Sequence, residues 1–210
     1  MSKRNKDSGE KTAAADQRRV NVSVATACGT IYGRPIDSCY VFKGVPYALP
    51  PVGRLRWVPA QPMPSRECWG PTTDTLNAED FSEPCYQYDD SQGKWIGSED
   101  CLYLNVWSSR LDPAAKLPVM VFFHGGGLMT GSGNEPGFIP SSNLVKSTNM
   151  VYVSFNYRLN VFGYLALDIL SWMSKDFVSG NYGLTDQIEA LRWVQQNIAA
   201  FGGDPEQVRI

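Results

Sequence analysis

The chain has 210 residues, of which 43% are hydrophobic and 12% aromatic, a composition that suits a buried core rather than disorder. Its formal net charge is −2, and no Lys/Arg stripe with interleaved aromatic residues occurs, which argues against nucleic-acid binding. No run reaches the roughly 18 apolar residues that a transmembrane helix needs.

The first residues of the chain differ from the rest in composition. Residues 1–20 are highly charged and nearly lack large apolar side chains, so they cannot bury enough surface to offset the entropy lost on ordering. They also lack the apolar stretch of a signal peptide. The sequence therefore predicts a disordered polar tail over residues 1–21 and a folded region over 22–210. It shows no export signal, which as written favours the cytoplasm, but it leaves the compartment undetermined.

The folded region is predicted to begin with antiparallel strands. Residues 22–31 and 39–45 have the composition of two strands around the turn-forming residues 33–37, which predicts a hairpin. Residues 46–98 are rich in Pro, Gly, Ser and Trp with little periodicity, so we expect a long and mostly irregular excursion. Residues 102–107 then alternate apolar and polar side chains in the manner of a strand.

The second half of the chain changes to an α/β pattern. The apolar runs 119–123 and 151–155 are separated by a segment long enough for the crossover that a parallel pair requires. Residues 207–210 begin another predicted strand. The expected fold class is therefore α/β, with a mixed, largely parallel sheet and an antiparallel N-terminal hairpin.

A helix is predicted between the last two of these strands. Apolar side chains recur at helical spacing over residues 186–201, with Asp186 and Glu189 as the expected N-cap pair and Gly202 as the stop. One face of this helix should be buried. Arg158, outside the helix, is expected to donate a structural ion pair.

The cysteines give an ambiguous signal. Five cysteines are too few for a disulfide scaffold, but Cys85 and Cys101 bracket fifteen polar, turn-rich residues. Closing that loop would contribute about 3 kcal/mol in the chain-entropy model, and only in an oxidising compartment. The spacing leaves open both a disulfide and two thiols that never meet.

The most informative local feature is a strand that ends in His124 and three consecutive glycines. Glycines allow backbone angles closed to other residues and let a ligand approach the main chain. At the end of an α/β strand, such a loop can present N–H groups as an oxyanion hole for acyl transfer. The alternative is a glycine-rich turn that only bends the chain.

Several short motifs in a fixed order resemble the type-B carboxylesterase/cholinesterase family. They are FKGVPYA (42–48), PPVGRLRW (50–57), SEDCLYLN (98–105), HGGG (124–127), NYR (156–158), GNYGLTDQ (180–187) and FGGDP (201–205). Together they extend over the folded region without large gaps. The resemblance implies an α/β-hydrolase fold and cleavage of small-molecule carboxylic esters by a Ser-Glu/Asp-His triad. It implies no cofactor and no metal, and a family often secreted or found in the ER lumen.

The resemblance also assigns roles to individual residues. The oxyanion donors would be the backbone N–H groups of Gly126 and Gly127. Cys85 and Cys101 would form the first disulfide of the family. Residues Arg56 and Glu99 match a structural ion pair, which places them in stability rather than chemistry.

The sequence does not contain a complete triad. It has no Gly-x-Ser-x-Gly, and its single histidine is His124, which leads the oxyanion loop. A serine triad needs a nucleophile, a base and an orienting carboxylate. The resemblance places the nucleophile just past Ile210, so residues 22–210 are expected to be the N-terminal portion of a hydrolase domain that is inactive alone.

Two other interpretations remain at this point. The chain could be a non-catalytic, cholinesterase-like adhesion or interaction protein, or a truncated product with no independent function. The sequence leaves the ester substrate and the oligomeric state undetermined.

Overall fold

A mixed β-sheet organises the part of the chain that the structure describes. The computed structural model describes residues 21–64, 68–69 and 73–210, so the predicted tail lies outside the described residues except for Asn21. The strands are β1 (Val22–Thr26), β2 (Gly29–Ile36), β3 (Cys39–Pro46), β4 (Thr75–Asn77), β5 (Gln87–Asp89), β6 (Lys94–Ile96), β7 (Tyr103–Ser108), β8 (Leu117–Phe122), β9 (Val151–Phe155) and β10 (Gly203–Arg209). The α-helices are α1 (Ser142–Thr148), α2 (Asn160–Tyr164), α3 (Asp168–Met173) and α4 (Tyr182–Asn197), and short 3-10 helices occur at Gly53–Leu55, Pro113–Ala115 and Ile198–Phe201.

The main sheet has the order β1-β2-β3-β7-β9-β8-β10, with β4 beside β2. The pairs β8–β9, β8–β10 and β2–β4 are parallel, and the first two confirm the predicted parallel strands of a mixed α/β sheet. The pairs from β1 through β9 along the other side are antiparallel, so the described strands are less parallel than we expected. The connections after β8 and β9 contain the helices of the crossovers that join these parallel neighbours, whereas the antiparallel neighbours β1, β2 and β3 are joined by short turns.

The N-terminal strands differ from the prediction in where they turn. A turn at Ala27 and Cys28 divides the predicted first strand, and residues expected to form the turn lie inside β2. Gly33 explains the error. A Cβ at this position would lie 2.5 Å from the ring of Phe42, so the glycine permits close strand packing rather than a bend.

The core lies on both sides of the central strands. Strand β7 is buried almost along its whole length, not on alternate residues, as expected for a strand covered on both faces. On one side the rings of Phe42 and Phe201 meet edge to face, with centroids 4.9 Å apart. Trp193 of α4 packs against Phe201 in turn, so one face of the helix is buried as expected, although Ile188, which the helical spacing placed on that face, is 43% exposed.

Helix α4 begins earlier than predicted, and its expected N-cap pair is wrong. The residue that caps the helix is Asn181, in the left-handed conformation and without a side-chain cap. Asp186 lies inside the helix and is fully buried, because its carboxylate is used by Arg158 rather than by the first N–H groups. The predicted stop is confirmed: Gly202, at φ +85°, ends the 3-10 turn that follows the helix.

Two disulfides stabilise the N-terminal half. Cys85 and Cys101 are bonded, with Cα atoms 5.0 Å apart, as the resemblance implied. Cys28 and Cys68 form a second bond, with Cα atoms 5.4 Å apart, which the sequence analysis did not predict. Among the described residues, none of the helices has the length and apolar character needed to cross a bilayer.

Candidate functional site

The glycine loop leaves the sheet at the carboxyl end of β8. Sheet pairing ends at Phe122, and the chain then turns through Gly126 at φ +109°, Gly127 at φ +61° and Leu128 at φ +64°. Left-handed angles in succession are costly for ordinary residues. The loop lies outside the carboxyl ends of the parallel strands, where α/β sheets bind ligands.

The N–H groups of Gly126 and Gly127 are among those that the turn leaves without partners in the described part of the chain. The carbonyl oxygen of Gly126 accepts hydrogen bonds from the N–H groups of Met129 and Thr130, each at 3.1 Å. Within the described residues, the N–H groups of Gly126 and Gly127 donate no hydrogen bond, and both residues are exposed. Successive free N–H groups in a tight turn make a concavity suited to an anion.

The two glycines are constrained differently. A Cβ at Gly126 would lie 2.0 Å from the carbonyl oxygen of Thr130, whereas a Cβ at Gly127 would meet nothing within 4 Å. Gly126 is therefore required by close packing as well as by its φ angle. At Gly127 only the φ angle favours glycine.

His124 is held rigidly at the base of the loop. Its ring stacks on that of Tyr157, with centroids 4.2 Å apart, and its Nδ1 lies 2.9 Å from the carbonyl oxygen of Gly125. The hydroxyl of Tyr157 donates to the carbonyl oxygen of His124 at 2.7 Å. Burial lowers the pKa of the imidazole, and these contacts give His124 a structural place rather than that of a mobile base.

An open cavity of about 730 Å³ adjoins the loop. Gly125 and Gly126 form part of its wall, and the loop closed by Cys85 and Cys101 forms another part. Its ionisable lining groups besides His124 and Tyr88 are acidic: Asp89, Asp90 and Glu135. A cavity of this size is within the range of small-molecule sites.

The sequence analysis missed Gln87. Its buried side chain extends from the disulfide-closed loop to the residue Gly131, next to the glycine loop. Its amide oxygen accepts from the N–H of Gly131 at 2.7 Å, and its Nε2 donates to the carbonyl oxygens of Gly131 at 2.8 Å and Cys85 at 2.9 Å. A glutamine in a polar, turn-rich segment has no sequence signature that would have identified this role.

Two ion pairs join residues that are distant in the chain. Arg158 donates from Nε and Nη2 to the carboxylate of Asp186 at 2.8 and 2.6 Å, and both side chains are buried. Burial raises the pKa of the Asp186 carboxyl, and the hydrogen bonds from Arg158 oppose that rise. Arg56 and Glu99, which the resemblance placed in stability, are brought together through two hydrogen bonds of 2.5 and 2.6 Å.

Comparisons with known proteins identify a family and several relatives of this chain. Residues 20–210 match the model of the carboxylesterase family. Neurotactin of Drosophila melanogaster is 40% identical over 90% of this chain and 22% of its own length. Phenmedipham hydrolase of Pseudarthrobacter oxydans is 40% identical over 88% of this chain and 36% of its own length.

A solved carboxylesterase structure is similar to this chain in fold and sequence. The chain superimposes on the Geobacillus stearothermophilus carboxylesterase EST55 with a TM-score of 0.76 and 39% identity, over 89% of this chain and 37% of that one. The chain thus spans well under half the length of the relatives it matches.

Proposed function

The chain belongs to the carboxylesterase family. We therefore propose that it forms the oxyanion-stabilising part of an enzyme that hydrolyses small-molecule carboxylic esters. The observation that carries the proposal is that the N–H groups of Gly126 and Gly127 have no partner among the described residues and are exposed at the carboxyl end of β8, where Gly126 lines the cavity. Such groups act on the oxygen of a tetrahedral intermediate, which carries negative charge only during the reaction.

These 210 residues would supply the oxyanion donors of the reaction but not its nucleophile or its base. They contain no Gly-x-Ser-x-Gly, and their single histidine is the buried, stacked His124. Donors that stabilise an oxyanion cannot start the covalent step without a nucleophile and its base. We therefore propose that the 210-residue chain alone does not hydrolyse esters.

An assay with aryl acetates tests the inactivity. The 210-residue chain should hydrolyse these esters no faster than its Gly126→Val/Gly127→Val double variant, in which bulky residues deform the loop. A rate clearly above that of the double variant would show that the chain carries its own catalytic group.

A chimera tests the oxyanion role. Residues 22–210 would replace the matching segment of the Geobacillus stearothermophilus carboxylesterase, whose remaining chain would supply the missing elements. The chimera should hydrolyse aryl esters. Gly126→Val in it should lower kcat by about 10²–10³-fold, as losing an oxyanion donor does, because the added side chain displaces the loop and turns its N–H groups away from the oxyanion. A folded chimera whose kcat is indifferent to this change would refute the role of the loop.

A further inference from the structure

The side chain of Gln87 makes the pair of hydrogen bonds to the backbone that a peptide group of a neighbouring strand would make. A primary amide offers a donor and an acceptor in one plane, as a peptide group does. Gln87 presents both to the backbone of Gly131, with distances of 2.7 and 2.8 Å. Its second N–H donates to Cys85, so the buried amide has partners for both of its hydrogens and for its oxygen.

Gly131 lies between Gln87 and the base of the glycine loop. A Cβ at Gly131 would stand 2.5 Å from Nδ1 of His124 and 2.6 Å from the carbonyl oxygen of Gly125. The preceding residue, Thr130, packs its carbonyl oxygen over Gly126 and donates its N–H to the carbonyl oxygen of Gly126. A displacement of Gly131 would therefore be transmitted directly to Gly126.

We propose that Gln87 is a positioning residue for the oxyanion loop, fixing Gly131 and thereby the orientation of the Gly126 and Gly127 N–H groups. This inference rests on the proposed function of those two groups. Gln87 itself does not touch the anion. It acts by holding the far end of the turn that closes between Gly126 and Thr130.

Gln87 belongs to the loop that the disulfide between Cys85 and Cys101 closes. Gln87 follows the disulfide half Cys85 by two residues, and the Cys85 carbonyl takes part in the same hydrogen-bonded group. On its other side, β5 pairs with β6. The disulfide therefore restrains the element from which Gln87 reaches the glycine loop.

Only glutamine satisfies this arrangement among residues of similar shape. Glutamate would keep the acceptor for the Gly131 N–H but would turn an oxygen toward two carbonyl oxygens. Methionine has the same length and would fill the space, yet it can neither donate nor accept effectively. Gln87→Met therefore removes the hydrogen bonds and retains the volume.

Nuclear magnetic resonance of the 210-residue chain tests the proposal. In the wild type, the Gly131 amide and the Gln87 side-chain amide should exchange slowly with solvent, and the Gly126 and Gly127 amides should exchange rapidly. In Gln87→Met, Gly131 should exchange about tenfold faster, as expected for loss of one neutral hydrogen bond. The Gly126 and Gly127 amide signals should shift, because the turn that orients them is released.

Gln92→Met is the matched control, since Gln92 lies in the same disulfide-closed loop but is exposed. It should leave the signals of Gly126, Gly127 and Gly131 unchanged. Unaltered Gly126 and Gly127 signals in a folded Gln87→Met variant would overturn the proposal. If that variant does not fold, rapid exchange of the Gly131 amide or the Gln87 side-chain amide in the wild type would overturn it equally.

These results are separable from those of the hydrolysis test. An active chimera with unresponsive loop signals in Gln87→Met rejects the positioning role and keeps the proposed function. A folded chimera that fails to hydrolyse esters rejects the proposed function, whatever the loop signals show.

Discussion

At the scale of single residues, neighbouring glycines in the same loop serve different physical needs. Gly126 faces the carbonyl oxygen of Thr130 at a distance no Cβ can tolerate, and Gly127 faces open space. Three glycines in a row indicate a loop that could bind an anion, but they do not reveal which glycine is required by packing.

Gly126→Ala should destabilise the chain by more than about 1 kcal/mol, because it combines an unfavourable φ angle with a steric clash. Gly127→Asn should cost less than about 1 kcal/mol, since asparagine tolerates the left-handed region and has room here. Urea unfolding of both variants measures the difference. Equal losses of unfolding free energy in the two variants would contradict the packing role assigned to Gly126.

His124 should make stability depend on pH. Its pKa is lowered by burial in the folded state, so the unfolded chain binds more protons below the ordinary value of 6.5, and acidification favours unfolding. The contribution of neutral His124 to the free energy of unfolding should be complete above pH 6.5. It should be lost as the pH falls toward the lowered pKa of the folded state.

His124→Asn should remove this dependence, because asparagine does not titrate and retains a donor for the Gly125 carbonyl. Since the chain has a single histidine, subtracting the two urea titration series between pH 7.5 and 5 isolates its effect. Parallel pH profiles for wild type and variant would contradict the prediction.

At the scale of elements, a buried ion pair joins the end of β9 to the first turns of α4. Arg158 and Asp186 share two side-chain hydrogen bonds, and the Arg158 N–H donates a third at 2.9 Å. These contacts fix the helix relative to the strand ends at which the loop lies. The pair explains why Asp186 does not cap its helix.

Arg158→Met should destabilise the chain by about 3–5 kcal/mol, because it leaves a buried carboxylate without its partner. The double variant Arg158→Met/Asp186→Leu should recover part of this loss. Arg192→Met is the matched control, since the Arg192–Glu189 pair has an arginine that is 66% exposed and should contribute less than about 1 kcal/mol. Similar losses from Arg158→Met and Arg192→Met in chemical unfolding would refute the prediction.

The disulfides should also stabilise the N-terminal elements. Replacing Cys85 and Cys101 together by alanine should cost about 3 kcal/mol and replacing Cys28 and Cys68 together about 4 kcal/mol, because the second pair closes a longer loop. Chemical unfolding of oxidised wild type and both double variants measures these values. A variant as stable as the wild type would show that its disulfide does not constrain the unfolded chain as expected.

At the scale of the whole molecule, apolar side chains remain exposed along α3 and the turn that follows it. Trp172, Met173 and Phe177 are 72%, 78% and 74% exposed. Large contiguous apolar surfaces are uncommon on isolated soluble domains and promote association. The 210-residue chain should therefore self-associate as its concentration rises.

The double variant Trp172→Ser/Phe177→Ser should weaken that association with little change in unfolding free energy, because neither side chain packs in the core. Sedimentation velocity at several concentrations measures association, and urea unfolding provides the stability control. Undiminished association in the variant would place the contact surface elsewhere.

The sequence by itself determined the features that depend on local pattern. Alternation and β-branching predicted β7, β8 and β9, and the helical spacing predicted most of α4 together with its stop at Gly202. The order of the motifs identified the family. These signals are local because strand and helix periods are visible in a few residues.

The tertiary structure alone decided the features that depend on residues far apart in the chain. It placed Gly33 inside a strand because of Phe42, paired Cys28 with Cys68, and directed Asp186 to Arg158 instead of the helix end. It also brought Gln87 to Gly131, 44 positions away. A side chain's partner is set by packing across the fold, and no pattern in the neighbouring sequence encodes that choice.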